Sequence, residues 1–121
     1  MAWSLDARIP LILVPTSEAL ASALATGPKA AVLVESPAWS PSGAVAAESF
    51  DATEPHALAC ACCNGRPPAA TALDRLFQAR IRSHCPWFER VVVLGETEAV
   101  RAQVVAVMSA DAVTAARFRL A

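Results

Sequence analysis

Three short apolar segments along the chain predict the strands of a buried β-sheet. They are Ile9–Val14, Ala30–Val34 and Arg90–Leu94, and each is almost continuously hydrophobic. Runs of this length that are rich in β-branched residues are typical of strands buried on both faces of a parallel sheet. The first two runs end at Pro15 and Glu35, where the pattern becomes polar.

Between and after these runs, apolar residues recur at helical spacing. The pattern predicts helices over Glu18–Thr26, from Pro68 to about Ser83, and over Glu98–Met108. A last helical turn is predicted to begin near Asp111 and to include Phe118. Proline at the start of the second of these helices suits a first helical turn, where its missing N–H has no partner to lose.

The order strand, helix, strand, loop, helix, strand, helix predicts an α/β fold. We expect a small parallel sheet of about three strands, with right-handed crossovers and flanking helices. Residues 36–54 are rich in Pro, Ser, Gly and Ala and are predicted to form a long loop, in which residues 43–50 could form a short helical or edge segment. Residues 1–121 show no internal repeat, so we expect a single domain.

Composition narrows the classes of function. The chain of 121 residues is 55% hydrophobic and 17% charged, which is typical of a globular protein. Its net charge is −1, and its basic residues do not cluster, so we expect no nucleic-acid partner. No apolar run has the length of a membrane span, and the first residues do not resemble a signal peptide. We therefore expect a cytoplasmic protein whose cysteines are thiols or metal ligands, and no membrane partner.

The strongest chemical signal is a cluster of three cysteines, Cys60, Cys62 and Cys63. Three soft sulfur donors this close in sequence can reach one metal ion if the backbone turns sharply. The helix predicted from Pro68 follows directly, and the positive end of its dipole lowers the pKa of nearby thiols and favours metal binding. Thiolate-rich tetrahedral sites favour Zn²⁺ or Cu⁺, so the predicted cofactor is zinc.

Three sulfurs leave one coordination position open. Glu35 is the best-placed carboxylate, because it ends the second strand and sites in parallel sheets gather at the carboxyl ends of strands. His56 is the nearest imidazole. His84 and Cys85 precede the third strand, at the opposite end of the predicted sheet, and we leave both out of the site.

Other interpretations of the cysteines remain open at this stage. They could be small buried hydrophobic residues, since free cysteine is commonly buried. They could form transient disulfides in a redox role. A thiol enzyme could use Cys60 or Cys62 as its nucleophile, with His56 or His84 as the base. The chain could also be a protein–protein adaptor whose cysteines are incidental.

Two segments of the sequence resemble the CobW-like branch of the CobW/HypB/UreG group of metal-handling GTPases. Residues 59–63 read ACACC and residues 88–94 read FERVVVL, with a predicted helix between them. The family carries Gly-Cys-x-Cys-Cys, a helix, and then a strand of the form Phe-Asp-Arg-Val-Val-Ile-Glu-Thr-Thr-Gly-Leu. The resemblance extends from about Ile9 to the C-terminus and covers roughly the first half of a family G domain.

The resemblance implies half of a P-loop GTPase domain with a metal site. By resemblance Cys60, Cys62 and Cys63 bind zinc or a related metal, and Glu35 is a weaker candidate, because the family's Asn-Glu-Phe-Gly-Glu stretch is replaced here. The missing half of the domain implies that the chain pairs with a second copy or a protein partner, with Trp39 as a candidate contact.

The sequence departs from the family where the family binds nucleotide. Residues 15–20 (PTSEAL) contain neither the glycines nor the lysine of a phosphate-binding loop. Residues 94–96 (LGE) stand where the family has Glu-Thr-Thr, and no Asn-Lys-x-Asp segment occurs. We therefore expect no nucleotide and no enzyme activity, and a role as a metal carrier, a metal sensor or a partner of a full-length relative. Trp87, just before the third strand, is a second candidate for the interface.

Overall fold

The structure, a computed structural model, describes residues 7–35, 41–51 and 67–121. Five strands and four helices follow one another along these residues. In chain order they are β1 (Ile9–Val14), α1 (Ser17–Ala25), β2 (Ala30–Glu35), β3 (Ala44–Phe50), α2 (Pro68–Ile81), β4 (Arg90–Leu94), α3 (Glu98–Ala110), α4 (Ala112–Arg117) and β5 (Phe118–Leu120).

All five strands belong to one parallel sheet, in the order β3-β2-β4-β1-β5. The chain moves in one direction along the sheet from β1 to β2, and in the other direction from β3 to β4 and from β4 to β5. Right-handed crossovers then require α1 on one face of the sheet and α2 and α3 on the other, and the two hydrophobic cores are divided in this way. The predicted α/β fold with a parallel sheet is confirmed, with five strands where about three were expected.

The strand β3 lies within the segment that was predicted to be a loop. Its residues pair with β2 from Ala30↔Ala44 to Glu35↔Phe50, with a register shift after the first pair. All but Phe50 are only half-buried, because β3 is the outer strand on its side of the sheet. The small and polar residues of such a strand give no apolar run to detect. Residues 36–40 and 52–54 of the predicted loop lie outside the described residues.

The expected last helical turn ends earlier than the sequence suggested. α4 stops at Arg117, and Phe118 begins a three-residue strand that pairs with Ile9 of β1. The prediction of helix at Phe118 is therefore wrong. Phe118 is fully buried among the side chains of the larger core, and the extended backbone at this position directs its ring there.

Side-chain caps fix where three of the four described helices begin. Thr16, Thr97 and Asp111 precede α1, α3 and α4, and each accepts a hydrogen bond from a backbone N–H of the first helical turn. Such caps satisfy N–H groups that have no partner inside the helix. No helix among residues 7–35, 41–51 and 67–121 combines the length and the apolar character needed to cross a membrane.

Candidate functional site

The carboxyl ends of β1 and β4 form the position where ligands usually bind in open parallel sheets. These two strands are neighbours, and the helices that follow them, α1 and α3, pack on opposite faces of the sheet. Adjacent strands whose connections leave to opposite faces create a crevice at their carboxyl ends. We call this side of the sheet the carboxyl edge and the side where the strands begin the amino edge.

The crevice between β1 and β4 is narrowed by the residues that follow β4. The N–H of Gly95 donates to the carbonyl of Val14 at 2.8 Å, and Arg101 Nη1 donates to the carbonyl of Gly95 at 2.7 Å. A Cβ atom at Gly95 would lie 2.8 Å from Arg101 Cγ, so glycine is what allows this side chain to lie against the loop. Arg101 Nη2 also contacts Glu98 at 3.1 Å.

The connection between β1 and α1 consists only of Pro15 and Thr16. Thr16 Oγ1 accepts from the N–H of Ala19 at 3.0 Å, and the carbonyl of Thr16 accepts from the N–H of Leu20. A phosphate cradle needs a longer loop whose N–H groups point at the ligand. The connection of two residues is too short for such a cradle. The N–H groups of Ala19 and Leu20 are already bonded to Thr16.

Glu35 is the one predicted metal ligand that the structure describes. It is the last residue of β2, is half-buried and pairs with Phe50 of β3. On its other side, β2 pairs with β4 up to Leu33↔Val93, so Glu35 and Gly95 each lie two residues beyond this pair. Glu35 therefore stands at the carboxyl edge, beside the crevice.

The remaining predicted ligands, Cys60, Cys62, Cys63 and His56, lie outside the described residues. Within the described residues, no group of three or more His, Cys, Asp and Glu side chains could hold a metal ion. Glu35 has no such companions in that part of the chain. A site with three or more protein ligands that includes Glu35 therefore needs residues from outside the described part of the chain or from a partner.

Both flanks of the cysteine motif are fixed at the carboxyl edge. Asp51 follows directly after β3. On the other flank, Ala69 in the first turn of α2 donates its N–H to Gln103 Oε1 of α3 at 2.9 Å. Arg75 in the middle of α2 contacts Glu48 of β3 at 3.0 Å. α2 thus runs back along the strands toward the start of β4, and its first turn lies on the same side of the sheet as Asp51.

Among the described residues, acidic side chains outnumber basic ones around the carboxyl edge. Arg101 is the basic residue that follows the strands there. Five carboxylates occur at the ends of strands or in the first turns of the helices that follow them: Glu18, Glu35, Asp51, Glu96 and Glu98. A surface with this excess of negative charge attracts cations and repels phosphate.

Cys85 and His84 lie at the amino edge, between α2 and β4. His84 is exposed, whereas Cys85 is half-buried against the larger core. Burial raises the pKa of the Cys85 thiol above its ordinary value, and the nearby Arg80 guanidinium acts in the opposite direction. Because the thiolate is the reactive form, the raised pKa makes Cys85 a poor nucleophile at neutral pH.

The raised pKa of Cys85 predicts that its thiol reacts slowly. In a variant with Cys60, Cys62 and Cys63 replaced by serine, Cys85 is the one remaining cysteine of four. We expect Cys85 to react with a disulfide reagent at pH 8 more slowly than free cysteine, and its rate to keep rising at a pH where free cysteine levels off. The denatured variant is the control and should react like free cysteine. Equal rates for the folded and denatured chain would contradict the prediction.

Two contacts at the carboxyl edge were not expected from the sequence, those of Arg101 with Gly95 and of Gln103 with Ala69. Gly95 gave one available signal, since a glycine directly after a buried strand often marks a close approach of another group. Gln103 gave none, because its partner lies 34 residues away in the sequence.

The fold defines the chain as an α/β protein with a five-stranded parallel sheet, and the described residues at its carboxyl edge are mainly acidic. Comparisons of the chain with protein families, with curated proteins and with solved structures found no match.

Proposed function

We propose that this chain is a non-catalytic zinc-binding protein that acts as a metal carrier, a metal sensor or a partner of a longer relative. Cys60, Cys62 and Cys63 provide the sulfur ligands, with Glu35 or His56 as the candidate fourth ligand. The observation that carries the proposal is the placement of both flanks of the motif, Asp51 and Pro67, at the edge of the sheet where Glu35 ends β2.

Chain length limits how far the motif can lie from this edge. Cys63 precedes Pro67 by four residues, and an extended chain spans at most about 3.6 Å per residue, so the two Cα atoms are within about 14 Å of each other. Cys60 is only three residues further away. The same limit puts Cys60 within about 25 Å of Pro67. The motif can therefore reach the first turn of α2, whose dipole favours thiolates.

The charges around the edge favour a metal ion as the ligand. Negative side chains such as Glu35 and Glu96 attract a divalent cation and oppose a nucleotide phosphate. The short connection Pro15-Thr16 leaves no loop for phosphate between β1 and α1. We propose on the same grounds that the chain is a shortened relative of the CobW-like proteins that keeps their metal motif without their nucleotide site.

A thiol enzyme is less well supported by the arrangement. The chain has two histidines, and His84 lies at the amino edge, away from both flanks of the motif. A cysteine nucleophile needs a base within hydrogen-bond reach. Of the two histidines, His56 alone is left for that role, and it also competes as a metal ligand.

Metal content of untagged protein tests the proposal directly. We expect about one zinc per chain in the wild-type protein and none after Cys60, Cys62 and Cys63 are replaced by serine, because zinc–thiolate bonds supply most of the affinity. Cys85→Ser is the matched control and should keep its zinc. Wild-type protein that contains no metal and takes up no added zinc under reducing conditions would overturn the proposal.

The fourth ligand can be identified with two further variants. Glu35→Gln keeps the shape of the side chain and removes its charge, whereas His56→Ala removes the imidazole. The variant that lacks the true ligand should release zinc to a chelator faster than the wild-type protein. If both variants release zinc at the wild-type rate, water or a partner occupies the fourth position.

A carrier or sensor also implies a protein that receives the metal or the signal. We propose a second copy of this chain or a protein partner for that role. Trp87 is 56% exposed and remains a candidate contact, whereas Trp39 lies outside the described residues.

A further inference from the structure

A groove lies at the amino edge of the sheet, on the opposite side from the proposed metal site. It has a volume of about 480 Å³, within the usual range for small-molecule sites. One wall is the loop Gly27-Pro28-Lys29 before β2, and the other contains Trp87 and Glu89 before β4. More than half of the surface of Trp87 is exposed, which is unusual for so large an aromatic residue.

The tryptophan wall of the groove is held in place from behind. The guanidinium of Arg80 lies 3.6 Å from the centre of the Trp87 ring. Arg80 is itself fixed, because its Nε donates to the carbonyl of Phe88 at 2.8 Å. Arg80 does not line the groove. Arg80 covers part of the Trp87 ring, and Trp87 still lines the groove with more than half of its surface exposed.

The loop wall is held equally firmly. Arg90 donates to the carbonyl of Thr26 at 2.7 Å and to the carbonyl of Pro28 at 2.9 Å. Gly27 has φ +87°, a conformation that disfavours other residues, and a Cβ there would lie 3.3 Å from Arg90 Nη2. A groove with walls fixed in this way loses little entropy when a ligand binds.

The groove contains one positive and one negative side chain. The N–H of Glu89 donates to the carbonyl of Lys29 at 2.9 Å, so the two residues lie side by side. In the part of the chain that the structure describes, the Lys29 ammonium and the Glu89 carboxylate form no ion pair with each other or with another residue. Both charges are open to a ligand in the groove. Burial lowers the pKa of Arg80, and the attraction of its guanidinium to the Glu89 carboxylate acts in the opposite direction.

We propose that this groove binds a small zwitterion that carries an aromatic ring, such as a free aromatic amino acid. Its carboxylate contacts Lys29, its ammonium contacts Glu89, and its ring stacks on the open surface of Trp87. Stacked aromatic rings attract one another beyond the area they bury. A ligand with only a positive charge is disfavoured, because the Arg80 guanidinium already lies against Trp87. The inference is independent of the metal proposal.

The test uses four ligands that differ by one group each. L-Phenylalanine carries all three groups, phenethylamine lacks the carboxylate, 3-phenylpropionate lacks the ammonium, and L-alanine lacks the ring. Lys29 is the one lysine of the chain, so reductive ¹³C-methylation places a single side-chain reporter in the groove, with the α-amino group as the other signal. We expect L-phenylalanine to shift the Lys29 signal at millimolar concentration, and each of the other ligands to bind more weakly.

Three variants assign each contact. Lys29→Gln and Glu89→Gln are each expected to weaken L-phenylalanine binding about fivefold, as for an exposed charge pair, measured on the unmodified proteins by calorimetry. Lys29→Gln should leave phenethylamine binding unchanged, and Glu89→Gln should leave 3-phenylpropionate binding unchanged. Trp87→Leu should weaken all three ring-containing ligands. Glu96→Gln, at the carboxyl edge, is the matched control and should change nothing.

Three results would overturn the proposal. One is the absence of binding by L-phenylalanine at millimolar concentration to the wild-type protein. Another is equal affinity for L-phenylalanine, phenethylamine and 3-phenylpropionate. The third is binding that survives Trp87→Leu unchanged. Far-ultraviolet circular dichroism of each variant shows that it is folded, so a loss of binding is not a loss of structure.

Discussion

Replacing Phe118 by alanine is expected to lower the free energy of unfolding by about 3–5 kcal/mol, the usual cost of removing a buried aromatic side chain. Phe118 has no exposed surface and belongs to the larger core. Its ring meets Phe77 of α2 edge-to-face, with ring centres 6.2 Å apart. The substitution therefore removes apolar burial, leaves a cavity and breaks an aromatic pair.

The size of the expected loss of stability in Phe118→Ala follows from the position of β5 in the sheet. It is the outermost strand beside β1, and Phe118 is the one residue of its three that is fully buried. A domain of this size has a total stability of about 5–15 kcal/mol. Equilibrium unfolding in urea, followed by circular dichroism at one fixed zinc concentration, measures the change.

Leu120→Ala is the matched control for Phe118→Ala. Leu120 lies two residues further along the same strand but is 43% exposed. Its replacement should cost about 1 kcal/mol or less, since little apolar surface is returned to water. Equal losses for the two variants would show that Phe118 does not anchor β5 to the core.

The three central strands of the sheet could be predicted from the sequence, because strands that are buried on both faces are nearly continuous apolar runs. Each of the segments Ile9–Val14, Ala30–Val34 and Arg90–Leu94 matches an observed strand to within one residue. β3 and β5 contain no such apolar run. An outer strand such as β3 can carry alanine, serine and glutamate, and a strand of three residues is too short to show any period.

The candidate sites also divide into features that a local sequence pattern indicates and features that depend on the fold. The position of Glu35 at the end of β2 could be predicted, because it follows from strand direction. The metal role of the cysteine motif stays a prediction, because the motif lies outside the described residues. The groove at the amino edge could not be predicted. Lys29 and Trp87 are distant in sequence, and they meet because β2 and β4 are neighbours. From the sequence alone, Trp87 is only a residue that precedes a predicted strand, with no sign that it lines a groove.

The two edges of the sheet differ in the charges that the described residues place there. The carboxyl edge gathers acidic side chains beside the flanks of the cysteine motif. The amino edge gathers Lys29, Arg80 and Arg90, and Arg90 connects this edge to α1. Both proposals can be tested in one protein, because Glu35 and Lys29 lie at opposite ends of the same strand.

Replacing Arg90 by methionine is expected to lower the free energy of unfolding by about 2–4 kcal/mol. Arg90 is the one buried charged side chain among the described residues. Its guanidinium donates to the carbonyls of Ala23, Thr26 and Pro28 at 2.9, 2.7 and 2.9 Å. These carbonyls lie at and after the end of α1, where a helix has no internal donors left for them.

The direction of this effect depends on which partners remain after the substitution. Exchanging a complete buried ion pair for apolar residues is often neutral, because both costs of desolvation disappear together. Here the three acceptors are backbone carbonyls that no side-chain substitution can remove. Methionine fills the space and leaves them without their donor, which costs about 1–3 kcal/mol for each one that stays buried. Water can reach some of them, since Thr26 and Pro28 are exposed, so the cost is less than the full sum.

Two further variants separate the hydrogen bonds from the charge. Arg90→Lys keeps the positive charge but not the planar fork of donors, so its loss of stability should be intermediate. Arg82→Met removes an exposed arginine near the same edge and should change the free energy of unfolding by about 0.5 kcal/mol or less. Hydrogen exchange gives a local measurement, since the amides of the last turn of α1 should lose protection in Arg90→Met before those of α3. If Arg90→Met and Arg82→Met are equally stable, the carbonyls at the end of α1 find other donors and the guanidinium is not what holds the helix to β4.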